Sequence, residues 1–308
     1  MIWNPDAETM PRERMVTLQL DRLRATLARI LAAGTLLSDR LRAAGVAAAD
    51  DVGSLADLRR LPFSHKIDLR ETYPFGLFAV PRDQLIRIHA SSGTRGKPTV
   101  VGYTRHDLDV WSEVMARSMA MAGVRPGMVV HNAYGYGLFT GGLGFHHGAE
   151  LLGCLVVPIS GGFTQRQVMF LQDLGGQVLC ATPTYALNIA ESVERAGIDP
   201  ATLHLEVGLF GAEPWTNQMR AEIEEAFAMD AVDIFGLSEV MGPGVANECV
   251  ETKDGLHIWE DHFYPEVIDP ENGKPLPDGE RGELVFTTLT KEGLPVIRYR
   301  TRDLTRLL

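Results

Sequence analysis

Cysteine is scarce in this 308-residue chain, and basic residues are outnumbered by acidic ones. The cysteines are odd in number and far apart, which argues against a disulfide framework and indicates free thiols in a reducing compartment; they are Cys154, Cys180 and Cys249. Only 29 Lys and Arg stand against 40 Asp and Glu, and no basic run occurs, which argues against a nucleic-acid partner. No apolar run approaches the ~20 residues of a membrane span, and the N-terminus lacks the regions of a secretory signal. We therefore expect a cytoplasmic protein without a membrane partner.

Short apolar strands alternate with helices through the middle of the chain. The sequence predicts strands at residues 85–90, 128–133, 155–158, 177–181, 204–210 and 231–235, with helices at 106–122, 183–196 and 216–228. This alternation favours an α/β fold with layered, mostly parallel sheets and helices. An amphipathic stripe at residues 12–45 predicts a helical N-terminal segment, made of one helix or of two broken near Gly34.

The C-terminal stretch changes character. Residues 256–259, 264–268 and 282–287 are apolar and separated by turns, which predicts a small antiparallel β subdomain at that end. The predicted organisation is a helical N-terminal subdomain at residues 1–80, an α/β body at 81–245 and a β subdomain at 246–308.

A loop of glycines, hydroxyls and cations follows the strand predicted at residues 85–90. It reads Ser91-Ser92-Gly93-Thr94-Arg95-Gly96-Lys97-Pro98. Glycines let backbone N–H groups approach phosphate oxygens, hydroxyls donate further hydrogen bonds, and cations offset the charge. A Walker A loop needs Gly where Ser91 stands and Ser or Thr where Pro98 stands, so that motif does not match. Taken alone, the loop predicts either a phosphate site or a solvated turn.

Together with the following Thr99-Val100-Val101-Gly102-Tyr103-Thr104, the loop resembles the phosphate loop of the acyl-adenylate-forming (AMP-binding) superfamily, and within it that of the phenylacetate–CoA ligases. The resemblance implies a set of loop residues that bind ATP: Ser91, Ser92, Gly93, Thr94, Gly96 and Lys97. It also implies a catalytic role for Lys97. Those enzymes usually carry a second threonine where Arg95 stands, so Arg95 is either a phosphate contact or a solvated side chain.

Three later segments match the same family in the same order. They are Gly211-Ala212-Glu213-Pro214, Asp233-Ile234-Phe235-Gly236-Leu237-Ser238-Glu239, and Arg298-Tyr299-Arg300-Thr301-Arg302-Asp303. The resemblance implies that the first segment packs along the adenine and the acyl group, and that the second continues the ATP site from Asp233 and Ile234 onwards. Within it, Phe235 and Gly236 line the adenine and acyl pockets, and Ser238 approaches the α-phosphate.

The same resemblance gives roles to two acidic residues. It implies that Glu239 is catalytic and holds Mg²⁺ on the phosphates, for which carboxylate oxygens are suitable ligands. Asp303 matches the aspartate that binds both ribose hydroxyls, since a carboxylate accepts two hydrogen bonds at once. Many superfamily members carry Gly in place of Arg302, and Arg at this position is similar to the phenylacetate–CoA ligase branch.

An aromatic segment predicts the acid-binding pocket. Residues 131–142 place Tyr134, Tyr136 and Phe139 among glycines after a strand end, an arrangement that accommodates an aromatic ring. The same side chains could equally belong to the hydrophobic core. Their resemblance to the corresponding segment of phenylacetate–CoA ligases favours an aryl-acid pocket, in which Phe235 and Gly236 also take part.

Two further groups contain residue types that could bind a metal or act as a base, but their spacing in the sequence is not typical of such sites. Cys249, His257 and His262 lack the paired spacing of a zinc site, so we expect structural roles for them. His146 and His147 could supply a base, yet adenylation needs none because the acid already reacts as its carboxylate. We expect these histidines to be structural as well.

The implied function is activation of an aryl carboxylic acid, phenylacetate first, by ATP with Mg²⁺, followed by thioester formation with coenzyme A. The resemblance also implies a homodimer. In the family, a C-terminal domain follows the Asp303 motif and a hinge, and the sequence ends at Leu308. We therefore expect a truncated chain that lacks this lid domain, with weak adenylation and little CoA ligation. The alternatives are a non-catalytic protein that binds nucleotide and aryl acid, and a ligase for another aryl acid such as a benzoate.

Overall fold

The computed structural model describes residues 1–91 and 97–308, so the loop residues 92–96 lie outside the described part of the chain. Two compact units are present. The first contains Met1–Pro5, Trp111–Leu237 and Met241–His257, and the second contains Asp6–Val110, Ser238–Val240 and Ile258–Leu308. The three-part division at residues 80 and 245 stays a prediction.

The helices of the described residues, in chain order, are α1 (Pro5–Glu8), α2 (Arg12–Ala33), α3 (Leu36–Ala43), α4 (Lys66–Glu71), α5 (Arg105–Met121), α6 (Gly141–Leu152), α7 (Thr164–Asp173), α8 (Pro183–Arg195) and α9 (Asn217–Phe227). Short 3-10 turns occur at Ala49–Asp51, Leu55–Arg60, Arg82–Gln84 and Pro200–Thr202. Within this described part, no helix is both long and apolar enough to cross a membrane.

The strands of the same residues are β1 (Arg87–Ala90), β2 (Val100–Tyr103), β3 (Val129–Asn132), β4 (Leu155–Val157), β5 (Val178–Ala181), β6 (Val207–Gly211), β7 (Asp230–Leu237), β8 (Gly242–Glu248), β9 (Leu256–Ile258), β10 (Phe263–Ile268), β11 (Gly282–Thr288) and β12 (Tyr299–Thr305). Seven of them form one sheet in the order β4-β3-β5-β6-β7-β8-β9. Pairing is parallel from β4 through β7 and antiparallel between β7 and β8. The predicted α/β fold with a mostly parallel sheet is confirmed.

The first unit is built around strands β5 and β6, which are buried along their whole length. Helices α7, α8 and α9 pack their apolar faces into the same core. Helix α8 begins where Thr182 Oγ1 accepts a hydrogen bond from the Tyr185 amide at 3.4 Å, and Pro183 occupies its first position. Parallel strands whose carboxyl ends share one edge bring the turns that follow β3, β6 and β7 to that edge.

The second unit has a core of aliphatic side chains from α2, α3 and the segments that follow them. Helix α2 ends at Gly34, whose φ of 64° is the left-handed conformation of a helix terminus, so the stripe at residues 12–45 forms two helices. Strands β10, β11 and β12 pair antiparallel, which confirms the predicted small C-terminal sheet.

Two details of the strand prediction were wrong. Residues 256–259 were assigned to the C-terminal β subdomain, but β9 is the edge strand of the seven-stranded sheet. The strand predicted at 85–90 does not enter the parallel sheet, since β1 forms an antiparallel pair with β2. In both cases a short apolar run shows that a strand exists but carries no information on its partner.

Candidate functional site

Ser91 and Thr99, which flank the Gly-rich loop, extend the hairpin formed by β1 and β2. The Ser91 amide donates to the Thr99 carbonyl at 3.0 Å, and the Thr99 amide donates to Ser91 Oγ at 3.0 Å. This reciprocal pair fixes the two ends of the segment between β1 and β2. The predicted site residues Ser92, Gly93, Thr94 and Gly96 lie outside the described residues, as does Arg95.

Lys97 is exposed at the end of this loop. Its ammonium lies 5.4 Å from the centre of the Tyr73 ring, within the range of a cation–π contact. Such a contact at an exposed position is weak, about 0.5–1 kcal/mol, so it orients the lysine without fixing it. The predicted catalytic role of Lys97 stays a prediction.

The turn after β6 requires a glycine. A Cβ on Gly211 would lie 2.1 Å from the carbonyl oxygen of Ile234 on the neighbouring strand, so only glycine allows β6 and β7 to approach this closely. Ala212 then adopts a positive φ of 69°. The Glu213 carboxylate accepts a 2.7 Å hydrogen bond from the Thr184 amide in the first turn of α8, a favourable place for a negative charge. Pro214 is exposed.

Strand β7 ends in a similarly tight approach. A Cβ on Gly236 would lie 1.8 Å from the carbonyl oxygen of Gly242, and Phe235 before it is half-buried. Ile234 is buried, and its neighbour Asp233 is largely buried as well. Burial raises the pKa of Asp233, while a hydrogen bond from Trp215 opposes this shift. Strand β7 therefore carries a partly desolvated carboxyl group at Asp233 and ends in a close backbone approach at Gly236.

The aromatic segment after β3 contains two different environments. Tyr134 is buried, its ring stacks on Phe145 with a centroid distance of 4.9 Å, and its hydroxyl donates to the Gly211 carbonyl at 3.4 Å. Phe139 is 47% exposed, in contrast. Tyr134 thus supports the turn after β6, whereas Phe139 presents an apolar ring at the surface of this unit. Their predicted roles in acid binding stay predictions.

Tyr136 belongs to a chain of polar groups. Asn132 Nδ2 donates to the Tyr136 hydroxyl at 2.8 Å, and that hydroxyl lies 3.1 Å from His146 Nδ1. Because the hydroxyl already accepts from Asn132, it donates to His146, which leaves the histidine proton on Nε2, 3.2 Å from Glu150. Burial raises the pKa of Tyr136 to about 12, so this phenol stays protonated at neutral pH.

Glu239, in the second unit, is a buried acid. Its side chain is 3% exposed, and its Oε1 lies 3.1 Å from Lys66 Nζ. Ser238 Oγ donates to Oε2 at 3.2 Å, a long hydrogen bond. Burial, and then the charge of Glu239, raises the pKa of Tyr299 well above its usual value, so the phenol beside this carboxylate stays protonated.

This arrangement fits a hard divalent cation. Within the described part of the chain, Glu239 Oε1 has no hydrogen-bond partner although it is buried. A buried carboxylate oxygen without a hydrogen-bond donor has a lone pair available to a cation, and Mg²⁺ is commonly bound through one or two carboxylates together with phosphate oxygens and water. The chemistry of Glu239 therefore fits a metal ligand, and its predicted role in holding Mg²⁺ stays a prediction.

Lys291 lies beside the predicted site residues Ser238 and Glu239, and sequence reasoning did not single it out. Its side chain is fully buried, and its ammonium lies 3.3 Å from the carbonyl oxygens of both Ser238 and Glu239. Burial lowers the pKa of Lys291 to about 8, while the charges of Asp107 and Glu239 oppose this shift. The sequence offered no signal for it, because a lysine in a Thr-Lys-Glu-Gly stretch usually lies in an exposed turn.

Asp107 holds the turn that carries Lys291. Its carboxylate accepts from the Glu292 amide at 2.6 Å and from the Gly293 amide at 2.9 Å. It also accepts from the Thr104 amide, while Thr104 Oγ1 accepts from the Asp107 amide, which is a capping box at the start of α5. One buried carboxylate therefore joins a helix start to the turn after β11.

Asp303 lies exposed on β12, and its predicted contact with ribose stays a prediction. Arg302 before it has a positive φ of 73°, a region that costs a residue with a side chain roughly 1–2 kcal/mol. The many superfamily members that carry Gly there avoid this cost. In this chain the Arg302 amide donates to Glu283 at 3.2 Å, and its guanidinium lies 3.6 Å from the same carboxylate.

Two of the three residues weighed as a zinc site have other partners. Cys249 Sγ donates to Glu251 at 2.6 Å, and His262 Nδ1 lies 2.9 Å from Thr290 Oγ1. Across the residues that the structure describes, the side chains that meet within 4.8 Å as potential metal ligands are instead those of His146, His147 and Glu150. Both histidines of this group lie within 3.4 Å of the Glu150 carboxylate on the surface of α6.

Comparison with known proteins identifies the family. A profile described as AMP-binding enzyme matches residues 29–289. The chain is 65% identical over 259 residues to a phenylacetate-coenzyme A ligase of Aromatoleum evansii, an alignment that covers 84% of this chain and 59% of the relative. The chain belongs to the AMP-binding enzyme family. A phenylacetate-coenzyme A ligase of Thermus thermophilus is 56% identical over 309 residues, covering 100% of this chain and 69% of that relative, so the chain falls in the phenylacetate–CoA ligase branch of the family.

A solved structure at 30% identity shares the fold of this chain. An open conformation of 2-hydroxyisobutyryl-CoA ligase, in complex with 2-HIB-AMP and CoA, superposes with a TM-score of 0.93 at 30% identity and covers 99% of this chain and 73% of that one. The chain spans about three fifths of the length of one curated relative and about two thirds of the other. The resemblance inferred from the phosphate loop and the later motifs is confirmed.

Proposed function

We propose that this chain takes part in the ATP-dependent activation of an aryl carboxylic acid, with phenylacetate as the first candidate, to the acyl-adenylate and then to the acyl-CoA. The relatives at 56–65% identity, each named phenylacetate-coenzyme A ligase, support this reaction. The observation in the structure that carries the proposal is Glu239, a buried carboxylate with one oxygen that lacks a hydrogen-bond partner among the described residues. Such a group is suited to hold Mg²⁺ on a nucleotide.

In the first step, a carboxylate oxygen of the acid attacks the α-phosphorus of ATP and the bond to pyrophosphate breaks. No base is needed, so the protein contributes alignment and charge stabilisation. Glu239 would hold Mg²⁺, which would supply positive charge at the phosphate oxygens. Lys97 and Ser91 contribute a cation and a hydroxyl at the ends of the phosphate loop, and Asp303 accepts from the ribose hydroxyls. In the second step the thiol of coenzyme A attacks the acyl carbon and AMP leaves.

The aromatic side chains of the first unit support an aryl acid as the substrate. Phe139 presents an exposed ring and Phe235 is half-buried at the end of β7. Tyr136, held by Asn132, adds a polar edge that stays uncharged because of its raised pKa. Selection between phenylacetate and benzoate rests on one methylene, a difference of only ~1–3 kcal/mol in an apolar pocket. The choice of acid is therefore part of the test.

The test is exchange of labelled pyrophosphate into ATP by the chain, with and without phenylacetate, and in parallel with benzoate. We expect exchange that depends on the acid and on Mg²⁺, and that falls at least tenfold in Glu239→Gln. ATP binding without exchange would favour the non-catalytic nucleotide-binding protein instead. Exchange with benzoate but not phenylacetate would retain the reaction and correct the substrate. Absence of ATP binding would refute the proposal.

Two wider features belong to the same proposal. The reaction takes place in the cytoplasm, which is supported by the three cysteines being free thiols. Two copies of the chain form a homodimer, an expectation that rests on the family resemblance. Light scattering of the purified protein tests the second statement, and a mass that corresponds to one copy at micromolar concentration contradicts it.

A further inference from the structure

Lys291 contacts the backbone of the turn at Ser238 and Glu239. Its ammonium lies 3.3 Å from the Ser238 carbonyl oxygen and 3.3 Å from that of Glu239, and its side chain is 0% exposed. The same ammonium lies 5.0 Å from the centre of the Tyr103 ring, which is also buried. The three donors of a lysine thus meet two carbonyls and an aromatic face.

A cation in this position is costly, because an ammonium loses its hydration on burial. The cost is offset by the two carbonyl dipoles, by the Tyr103 ring and by the charges of Asp107 and Glu239, which favour the protonated form. A hydrophobic side chain of similar length would fill the same space without this cost. The lysine therefore contributes something other than packing, and its two hydrogen bonds go to the backbone of Glu239, which is suited to hold Mg²⁺, and of its neighbour Ser238.

The side chain and the backbone of Glu239 are held by different lysines. Lys66, which is half-exposed, approaches the carboxylate at 3.1 Å, whereas buried Lys291 contacts only the main chain of this turn in the hydrogen bonds described. An exposed lysine is free to leave when a metal ion arrives. A buried one keeps its contacts in both states.

We propose that Lys291 is a positioning residue of the nucleotide site, whose ammonium fixes the backbone at Ser238 and Glu239 so that the Glu239 carboxylate keeps the orientation required to hold Mg²⁺ on ATP. This inference rests on the proposed function. Outer contacts that orient a metal ligand commonly contribute 10- to 100-fold to metal affinity. Lys291 differs from such partners in acting through main-chain carbonyls.

The experiment is calorimetric titration of the chain with ATP, once with Mg²⁺ and once with EDTA. Lys291→Met keeps the volume and removes the donors. We expect it to bind ATP about tenfold more weakly than wild type in Mg²⁺ and equally well in EDTA. Glu239→Gln should show the same pattern, and the double variant should be no weaker than Glu239→Gln alone, because both changes act on one metal contact. Lys253→Met is the matched control: it also removes a lysine, one that pairs with Glu224 and Asp230, and should bind like wild type in both buffers.

Three outcomes overturn the inference. In the first, Mg²⁺ strengthens ATP binding by Lys291→Met as much as it does for wild type. In the second, Lys291→Met binds ATP more weakly by the same factor in both buffers, and in the third its loss of affinity adds to that of Glu239→Gln. If Lys291→Met does not fold by circular dichroism, Tyr103→Leu is used, which keeps the lysine but removes the ring beneath it. For that variant, Mg²⁺ is expected to increase the affinity for ATP less than it does for wild type. An unchanged increase overturns the inference. Wild type that binds no ATP in either buffer shows that the proposed function itself has failed, which is a distinguishable result.

Discussion

Lys66 Nζ lies 3.1 Å from Glu239 Oε1, so an exposed lysine neutralises a buried carboxylate. The same oxygen has no hydrogen-bond partner in the described part of the chain. Lys66 therefore acts as the counter-ion of Glu239, and a divalent cation such as Mg²⁺ can replace it. Only the lysine end of this pair is exposed, at 50%, whereas the Glu239 side chain is buried, so loss of Lys66 without another cation leaves a buried charge unpaired.

The first prediction concerns Lys66→Met. Because Mg²⁺ no longer competes with an ammonium for Glu239, we expect ATP binding to reach half-saturation at a several-fold lower Mg²⁺ concentration. Lys66→Arg keeps a cation and should resemble wild type. A Mg²⁺ titration at fixed ATP measures the effect, and a higher Mg²⁺ requirement in Lys66→Met contradicts it. The expected direction is opposite to that of Lys291→Met, although both variants remove a lysine beside Glu239.

The second prediction concerns the close approach of β7 and β8. A Cβ on Gly236 would lie 1.8 Å from the Gly242 carbonyl oxygen, so Gly236→Ala has to separate the two strands. We expect a loss of about 3 kcal/mol in the free energy of unfolding by urea. Gly135→Ala is the matched control, because a Cβ there meets nothing within 4 Å. Equal stability of the two variants would show that the strands are more widely spaced than described.

The third prediction uses the strained backbone at Arg302. Arg302→Gly and Arg306→Gly both add a flexible glycine to the unfolded chain, but only Arg302 has a positive φ. We expect Arg302→Gly to be about 1 kcal/mol more stable than Arg306→Gly, since relief of the left-handed strain partly offsets the added flexibility. Chemical unfolding of both proteins provides the comparison. A less stable Arg302→Gly would mean that its contacts with Glu283 outweigh the strain.

The fourth prediction is a pH dependence from His131. Gln167 Nε2 donates to two carbonyls, so its Oε1 accepts from His131 Nε2 at 2.6 Å, which leaves buried Nδ1 without a partner in the described structure. Burial lowers the pKa of His131 below its ordinary 6.5. The unfolded state therefore binds the proton more readily, and stability falls as the pH drops below about 6.5.

Urea unfolding between pH 8 and pH 5 tests this effect. Wild type should lose more stability over that range than His131→Asn, which has no ring to titrate. His204→Asn, at an exposed position, serves as the control and should retain the wild-type slope. Parallel pH profiles of wild type and His131→Asn would contradict the prediction.

The sequence predicts local structure well where one signal dominates. Gly34 marks the break between α2 and α3, and the alternation of apolar runs with helices predicts the parallel sheet. Pairing partners were not predictable in the same way. Strand β9 pairs at the edge of the large sheet, and a strand of three residues does not encode which sheet it joins.

The candidate site also depends on contacts between residues that are distant in sequence, which local patterns do not show. Glu239 was singled out by the resemblance of residues 233–239 to the family motif, and its role in holding Mg²⁺ stays a prediction. Lys291 was not found, because its burial depends on Tyr103 and on a turn more than fifty residues earlier in the chain. Nothing in the neighbourhood of Lys291 distinguishes it from a surface lysine.

Asp107 has a consequence for the order of folding. It binds the amides of Glu292 and Gly293, which lie 185 and 186 residues further along the chain. Contacts across such a separation form late, because a long loop has to close before they are made. We therefore expect the capping box of α5 to form early with Thr104, and the turn carrying Lys291 to become ordered only when the last strands are in place. The affinity for Mg²⁺ and ATP should then be among the last properties that the refolding protein recovers.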